Sequence, residues 1–204
     1  MIQIVLASHN PKKKRELQEI LQPFGDRIEV LTLDEVSNLP EVEEDGKTFL
    51  ENAKKKAATI AHATKRWALG DDSGLAVDAL DGQPGVHSAR YAGEPRDQAR
   101  NNAKLLAELQ GIPREKRTAH FHCSLALADP VGKICLTAEG RCDGLILDAP
   151  RGEGGFGYDP LFYYPPLNKA FAELTPTQKH EVSHRGQAMR QFLEKLGPLL
   201  KSCS

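Results

Sequence analysis

Branched apolar residues fill Ile2 to Ala7, a run of the right length for one buried strand. Asn10 and Pro11 follow as a helix start, with Asn10 as N-cap and Pro11 at the first helical position. Leu17, Ile20, Leu21 and Phe24 then recur at the spacing of one helical face. Ile28 to Leu33 predicts a second strand, and Ser37, Asn38 and Pro40 a polar turn. Thr48 and Glu51 form a capping box ahead of a helix whose Phe49, Ala53, Ala57, Ile60 and Ala61 make an alanine-rich face able to lie close on a sheet. Ala68 and Leu69 end a short buried strand, Leu75 to Val77 begin another extended segment, and Gly70-Asp71-Asp72-Ser73-Gly74 predicts a turn between them.

Further on, Asp81-Gly82 and Pro84-Gly85 mark residues 79–86 as a loop. Asp97 to Gln110 predicts a helix with Ala99, Ala103, Leu106 and Leu109 inward, ended by Gly111 and Pro113. From Thr118 the period changes to two. Phe121, Cys123, Leu125 and Leu127 alternate with His120, His122, Ser124 and Ala126, and Asp129 to Gly132 turns into a partner strand over Lys133 to Arg141. Leu161 to Tyr164 is a short strand stopped by Pro165-Pro166. Thr175 to Gln178 is a second capping box, and Ser183 caps a last helix with Ala188, Phe192, Leu193 and Leu196 inward and Gly197-Pro198 as its stop. The 204 residues suffice for one substantial core, so residues 1–204 are expected to form a single domain. The hairpin over about 117–147 is expected as a separate lobe or an extension of the main sheet.

With 27 basic and 28 acidic residues the formal net charge is −1, which argues against a general nucleic-acid-binding surface. Any affinity for phosphate must therefore be local. MIQIVLASHN lacks the regions of a signal peptide and no apolar run reaches membrane-spanning length, so a soluble, cytoplasmic protein is expected. Cys123, Cys135, Cys142 and Cys203 show no CxxC spacing, and the first three fall in or beside predicted strands, where a thiol packs as a small apolar group.

Several polar clusters remain once the core has been assigned. Asp71 and Asp72 are adjacent carboxylates flanked by glycine, an arrangement that a hard cation such as Mg²⁺ would relieve, although helix-capping or solvated aspartates explain it as well. Lys12, Lys13, Lys14 and Arg15 crowd a helix N-terminus, where the dipole alone disfavours cations. A phosphate at the free N–H groups accounts for them; so does a solvated basic turn. Glu41 to Gly46 is an acidic run before a helix, and Lys54, Lys55 and Lys56 point in successive directions, so that most are solvated. His120 and His122 share a strand face without a third ligand nearby, and Trp67 reads as a core anchor. Gly152 to Pro160 embeds Phe156 and Tyr158 among glycines, either as aromatic faces open to a nucleobase or as a loop folded back on the core. Lys179, His184 and Arg185 again place cationic groups at helix starts. A phosphorylated nucleotide with a divalent metal would satisfy these clusters together.

The motifs resemble the inosine triphosphate pyrophosphatase family over nearly the whole chain. They are Ser8-His9-Asn10-Pro11-Lys12-Lys13, Glu43-Glu44-Asp45-Gly46-Lys47-Thr48-Phe49 with Glu51-Asn52-Ala53, Asp71-Asp72-Ser73-Gly74-Leu75, Pro84-Gly85 with Ser88-Ala89-Arg90-Tyr91, Gly154-Gly155-Phe156-Gly157-Tyr158-Asp159-Pro160 and Ser183-His184-Arg185-Gly186. The resemblance implies an α/β fold with an elongated mixed β-sheet flanked by helices, two lobes and a central substrate cleft. It also implies Mg²⁺-dependent hydrolysis of ITP, dITP and XTP to the monophosphate and pyrophosphate by a homodimer. By matching position, Asp72 is the implied proton acceptor and a metal ligand, with Glu43 or Glu44 sharing the metal; the motifs do not separate the metal roles of Glu43 and Glu44, or of Asp71 and Asp72. Ser8, His9, Asn10, Pro11, Lys12 and Lys13 are implied to hold the triphosphate, with Ser73 and Lys56 lining the cleft. Phe156, Gly157, Tyr158, Asp159, Lys179, His184 and Arg185 are implied on the nucleoside side. His9 stands where many family members have glycine, which departs from the pattern. A pyrophosphatase of the septum-inhibitor type, selective for pyrimidine or modified nucleotides, is the nearest rival and lacks the GGFGYDP and SHRG runs.

Overall fold

The computed structural model describes residues 1–202, with side chains to residue 199, so that Cys203 lies outside the described residues. Among the described residues there are seven strands: β1 (Ile2–Leu6), β2 (Ile28–Thr32), β3 (Trp67–Val77), β4 (Thr118–Ala128), β5 (Ile134–Ile146), β6 (Phe162–Tyr164) and β7 (Lys169–Ala170). They form one mixed sheet in the order β2-β1-β3-β4-β5-β6-β7, with β1 parallel to β2 and β3, and β6 antiparallel to β5 and β7. The helices are α1 (Pro11–Leu21), α2 (Phe49–Thr64), α3 (Gln98–Glu108), α4 (Pro176–Val182) and α5 (His184–Ser202). None among the described residues is long and apolar enough to cross a membrane. Internal contacts divide the chain into two compact units, one of Met1–Asp72, Cys123–Gly140 and the C-terminal segment from Ala188, the other of Ser73–His122 and Arg141–Gln187.

The first unit is layered, and the alternation of its strands sorts its residues onto two faces. Ile4 and Leu6 of β1, Leu69 of β3 and Cys123, Leu125 and Leu127 of β4 pack with Leu17, Ile20 and Leu21 of α1 and with Met189, Phe192 and Leu196 of α5. Val5, Ala7, Ala68, Ala126 and Ala128 occupy the opposite face and meet Ala53, Ala57, Ile60 and Ala61 of α2. Alanines on both sides let α2 lie close to the strands, as its sequence predicts. Asn10 caps α1 by accepting from the Lys12 N–H, and the Thr48–Glu51 capping box opens α2.

In the second unit Leu75, Val77, Leu105, Leu109, Phe121, Ile146, Leu161, Phe162 and Phe171 form the core. Phe121, Phe162 and Phe171 meet at ring-centroid separations of 4.5 to 5.7 Å, within the range of favourable aromatic pairs.

Four expectations are corrected. The predicted turn at Gly70 to Gly74 does not exist, because β3 runs unbroken through it. Gly70 serves close packing instead: a Cβ there would lie 2.0 Å from the Ala53 carbonyl oxygen of α2. On α3, Ala99 and Ala103 are exposed while Asn101, Leu105 and Leu109 are buried. Asn101 takes the inward position because its amide accepts from the Ala92 N–H and donates to the carbonyls of Ser88 and Ala89, so its burial leaves those groups satisfied. β5 continues beyond Arg141 to Ile146, since its inward positions Gly140, Cys142 and Gly144 maintain the alternation without large side chains. Finally, α5 passes through Gly197 and Pro198 to Ser202. Leu193, Leu196 and Leu199 pack on the first unit's core, and this burial outweighs the one helical hydrogen bond lost at Pro198.

Candidate active site

In the first unit the acids and cations of distant motifs come together. Successive strand residues point to opposite faces, so Gly70 and Asp72 turn toward α2 while Leu69 and Asp71 turn toward α1. Asp71 therefore meets Lys13 of α1, Nζ to Oδ1 at 2.7 Å, with the carboxylate side chain 0% exposed. Asp72 meets Asn52 and Lys56, which are one helical turn apart on the buried face of α2. Lys56 Nζ lies 2.9 Å from Asp72 Oδ1 and 3.1 Å from Glu44 Oε1, and donates to the Asp71 carbonyl. Asn52 donates to Asp72 Oδ2 at 3.1 Å and accepts from the Gly46 N–H at 2.8 Å, tying the acidic segment to β3. Gly46 is needed for that approach, because a Cβ would lie 2.6 Å from Asn52 Oδ1.

Carboxylates outnumber cations around Lys56. Burial pushes the Asp72 carboxyl above the ordinary value, and neighbouring Glu44 adds to the rise against the opposing effects of Lys56 and Asn52. Burial also disfavours the charge on Lys56, but Asp72, Glu44 and Asp71 outweigh it and hold the ammonium protonated beyond the ordinary lysine range. Glu44 and Asp72 thus offer hard oxygen donors on one shared ammonium. No group of three or more His, Cys, Asp or Glu side chains suited to a metal is gathered among the described residues. That donor set fits Mg²⁺, which binds through one or two carboxylates and completes its shell with water and phosphate oxygens.

The remaining predicted residues of this unit are placed differently. Glu43 is exposed, as is His9, whose Nδ1 lies 2.6 Å from Asp34. Ser8 Oγ accepts from the Asn10 N–H at the turn into α1, with Pro11 and exposed Lys12 next in the chain. Lys14 pairs with Glu35 at 2.6 Å and Arg15 approaches Glu19 at 3.8 Å, so acids of the chain take part of the positive charge at this helix start. Asn52 is a site residue with no role assigned from the sequence, although it lies in the Glu51-Asn52-Ala53 motif and four residues before Lys56.

In the second unit Ser73 Oγ accepts from Arg185 Nη2 at 3.2 Å. His184 and Arg185 are buried at the start of α5, and the His184 ring stacks on Phe121 with centroids 4.7 Å apart. Ser183 Oγ accepts from the Gly186 N–H. Asp159 accepts from Lys179 and from the Phe156 N–H, organising the glycine loop around itself. Gly155 permits this, since a Cβ would come within 2.0 Å of the Asp159 carboxylate. Lys179 Nζ stands 4.7 Å from the Phe156 ring centroid and the Arg185 guanidinium 5.8 Å, both within cation–π range. Only Phe156 of the two loop aromatics is partly open. Tyr158 is buried and donates to the Ser88 carbonyl at 2.8 Å, so it anchors the loop on the core side.

Residues 4–195 match the model of the Ham1 family. A dITP/XTP pyrophosphatase of Desulforamulus reducens is 52% identical over 97% of this chain and 97% of its own length. The dITP/XTP pyrophosphatase of Bacillus subtilis is 47% identical over 99% of this chain and 98% of its own. Among solved structures, a HAM1 protein from Coxiella burnetii is similar with a TM-score of 0.89 and 42% identity, covering 97% of this chain and 100% of that one. By sequence and by fold, the chain belongs to the Ham1 family.

Proposed function

We propose that this protein is a dITP/XTP pyrophosphatase, which hydrolyses dITP, XTP and ITP to the nucleoside monophosphate and pyrophosphate and so removes deaminated purines from the nucleotide pool. The observation that carries the reading is the group of buried Asp72 and partly buried Glu44 on Lys56, an acidic site of the kind phosphoryl chemistry requires, in a chain whose relatives carry this name. Glu44 and Asp72 would hold Mg²⁺, which when bound supplies charge neutralisation for phosphate oxygens.

Asp72 takes the proton from the attacking water, and its raised affinity for protons suits it to that task. The water oxygen bonds to phosphorus, the α–β anhydride breaks, and pyrophosphate leaves. Lys56 keeps Asp72 oriented, with Asn52 on its other oxygen. The start of α1, from Ser8 to Lys13, offers N–H groups and cationic side chains to the triphosphate. In the second unit Phe156 presents a ring face to the base, and Lys179, His184 and Arg185 discriminate at the purine 6-position. A donor facing the amino group of adenine would lose its acceptor, which disfavours ATP. Working as a homodimer completes the proposal.

The test is pyrophosphate release from ITP, XTP, GTP, ATP and UTP with and without Mg²⁺. ITP and XTP should be preferred and the metal required. Preference for UTP, or nucleotide binding without turnover, would overturn the reading.

A further inference from the structure

Gly157 adopts φ 62°, a backbone conformation that other residues rarely take, and it directly follows Phe156. The backbone N–H and carbonyl of Gly157 are both engaged by one helix. Gln98 Oε1 accepts from the Gly157 N–H at 2.8 Å, and Asn102 Nδ2 donates to the Gly157 carbonyl at 3.1 Å. The two side chains are four residues apart on α3 and therefore adjacent on its surface. Because the backbone supplies one donor and one acceptor, it fixes the orientation of both amides. Asn102 Oδ1 is buried without a hydrogen-bond partner among the described residues. An asparagine with one end unsatisfied is a poor choice for stability alone, so its other end needs a reason.

We infer that Gln98 and Asn102 are positioning residues for nucleobase selection: they clamp Gly157 and so hold Phe156 and Asp159 of the glycine loop in the geometry that receives the base. This rests on the nucleotide reading above. Lys179 reaches the same loop from α4 through Asp159 and the Phe156 ring, so the loop is fixed from two sides. Asn102 should matter more than Gln98, whose bond is exposed to competing water.

The experiment compares Asn102→Asp, Asn102→Leu, Gln98→Met and Gln98→Glu in the full chain. Steady-state kinetics on ITP and ATP are combined with amide hydrogen exchange at Gly157. Asn102→Asp preserves shape but sets oxygen against the Gly157 carbonyl; we expect KM for ITP to rise about tenfold, the ITP-to-ATP ratio of kcat/KM to fall, and kcat to change little. Asn102→Leu should do the same without introducing a charge, and Gln98→Met should have a smaller effect with faster Gly157 exchange. Gln98→Glu keeps the acceptor and should match the parent in both readouts. Unchanged KM and selectivity in folded Asn102→Asp and Asn102→Leu would overturn the clamp, as would damage by Gln98→Glu equal to that of Gln98→Met. A parent protein that prefers ITP while all four variants behave alike refutes this inference only; a parent with no such preference refutes the functional reading and the clamp's role with it.

Discussion

Asp72 carries two burdens, holding one end of an ion pair and charging in a place where burial and Glu44 both oppose its negative charge. Replacing it by asparagine keeps the bond to Lys56 but removes proton acceptance, so kcat on ITP should fall by at least about 100-fold while calorimetry still detects nucleotide binding. Near-parental turnover would exclude Asp72 as the base. The raised affinity also sets a sign for stability. The folded state binds this proton more tightly than the unfolded chain, so the contribution is present below the ordinary aspartate value of 3.8 and is lost as pH rises through the folded value. Lys13 is a different case. Its partner Asp71 is fully buried, so Lys13→Ala should cost about 3 kcal/mol of stability in addition to raising KM for the triphosphate. A thermal melt unchanged by that substitution would show that the pair contributes nothing to the fold.

At the level of elements, the site depends on how closely α2 lies on β3. Gly70→Ala would drive a methyl into the Ala53 carbonyl and push the helix away, at a cost of about 3 kcal/mol and with loss of activity, because Asn52 and Lys56 are carried on α2. Gly197→Ala meets nothing within 4 Å beyond its own helix and neighbours, and the helix-propensity gain is offset by the crowding of the new Cβ against the Pro198 ring, so stability should change by less than about 1 kcal/mol; denaturant titration of both variants tests the contrast. Gly70 also shows where the sequence was legible and where it was not. Caps at Asn10, Thr48 and Thr175 were readable because capping is a local contact between residues two or three apart. The alanine face of α2 was readable from its period. The continuity of β3 was not, since a glycine placed for a distant helix looks the same in sequence as one placed for a turn. Asn101 was missed for a related reason: its amide is satisfied by carbonyls from another segment, which periodicity does not report. Within the acidic site the sequence supplied the members but not their pairing. Strand alternation separates Asp71 from Asp72, and contact with Lys56 separates Glu44 from exposed Glu43.

Across the whole molecule, acid sensitivity should come from carboxylates that tie segments together at the surface. Lys14 and the Thr32 backbone N–H hold Glu35 down to about 2; Lys55 lowers Asp45, and the Ala170 N–H with Arg151 lowers Glu173. A lowered folded value means stability that is present above the ordinary carboxylate range and lost as pH falls through the folded value. The melting temperature should therefore decline between pH 4.5 and about 2, and Glu35→Gln should flatten part of that decline. An unaltered acid limb in the variant would remove Glu35 from the explanation.

The unbroken course of β3 has one more consequence. Asp71, Asp72 and Ser73 follow one another along it, and each is held by a different partner: Lys13, Lys56 and Arg185. A single codon inserted or deleted just before Asp71 would exchange the faces of the residues that follow along the strand, so that one lysine would meet the wrong carboxylate and the other none. Length changes should thus be lethal to activity here, whereas the tip at Val131, exposed and bounded by a tight turn, should tolerate extra residues.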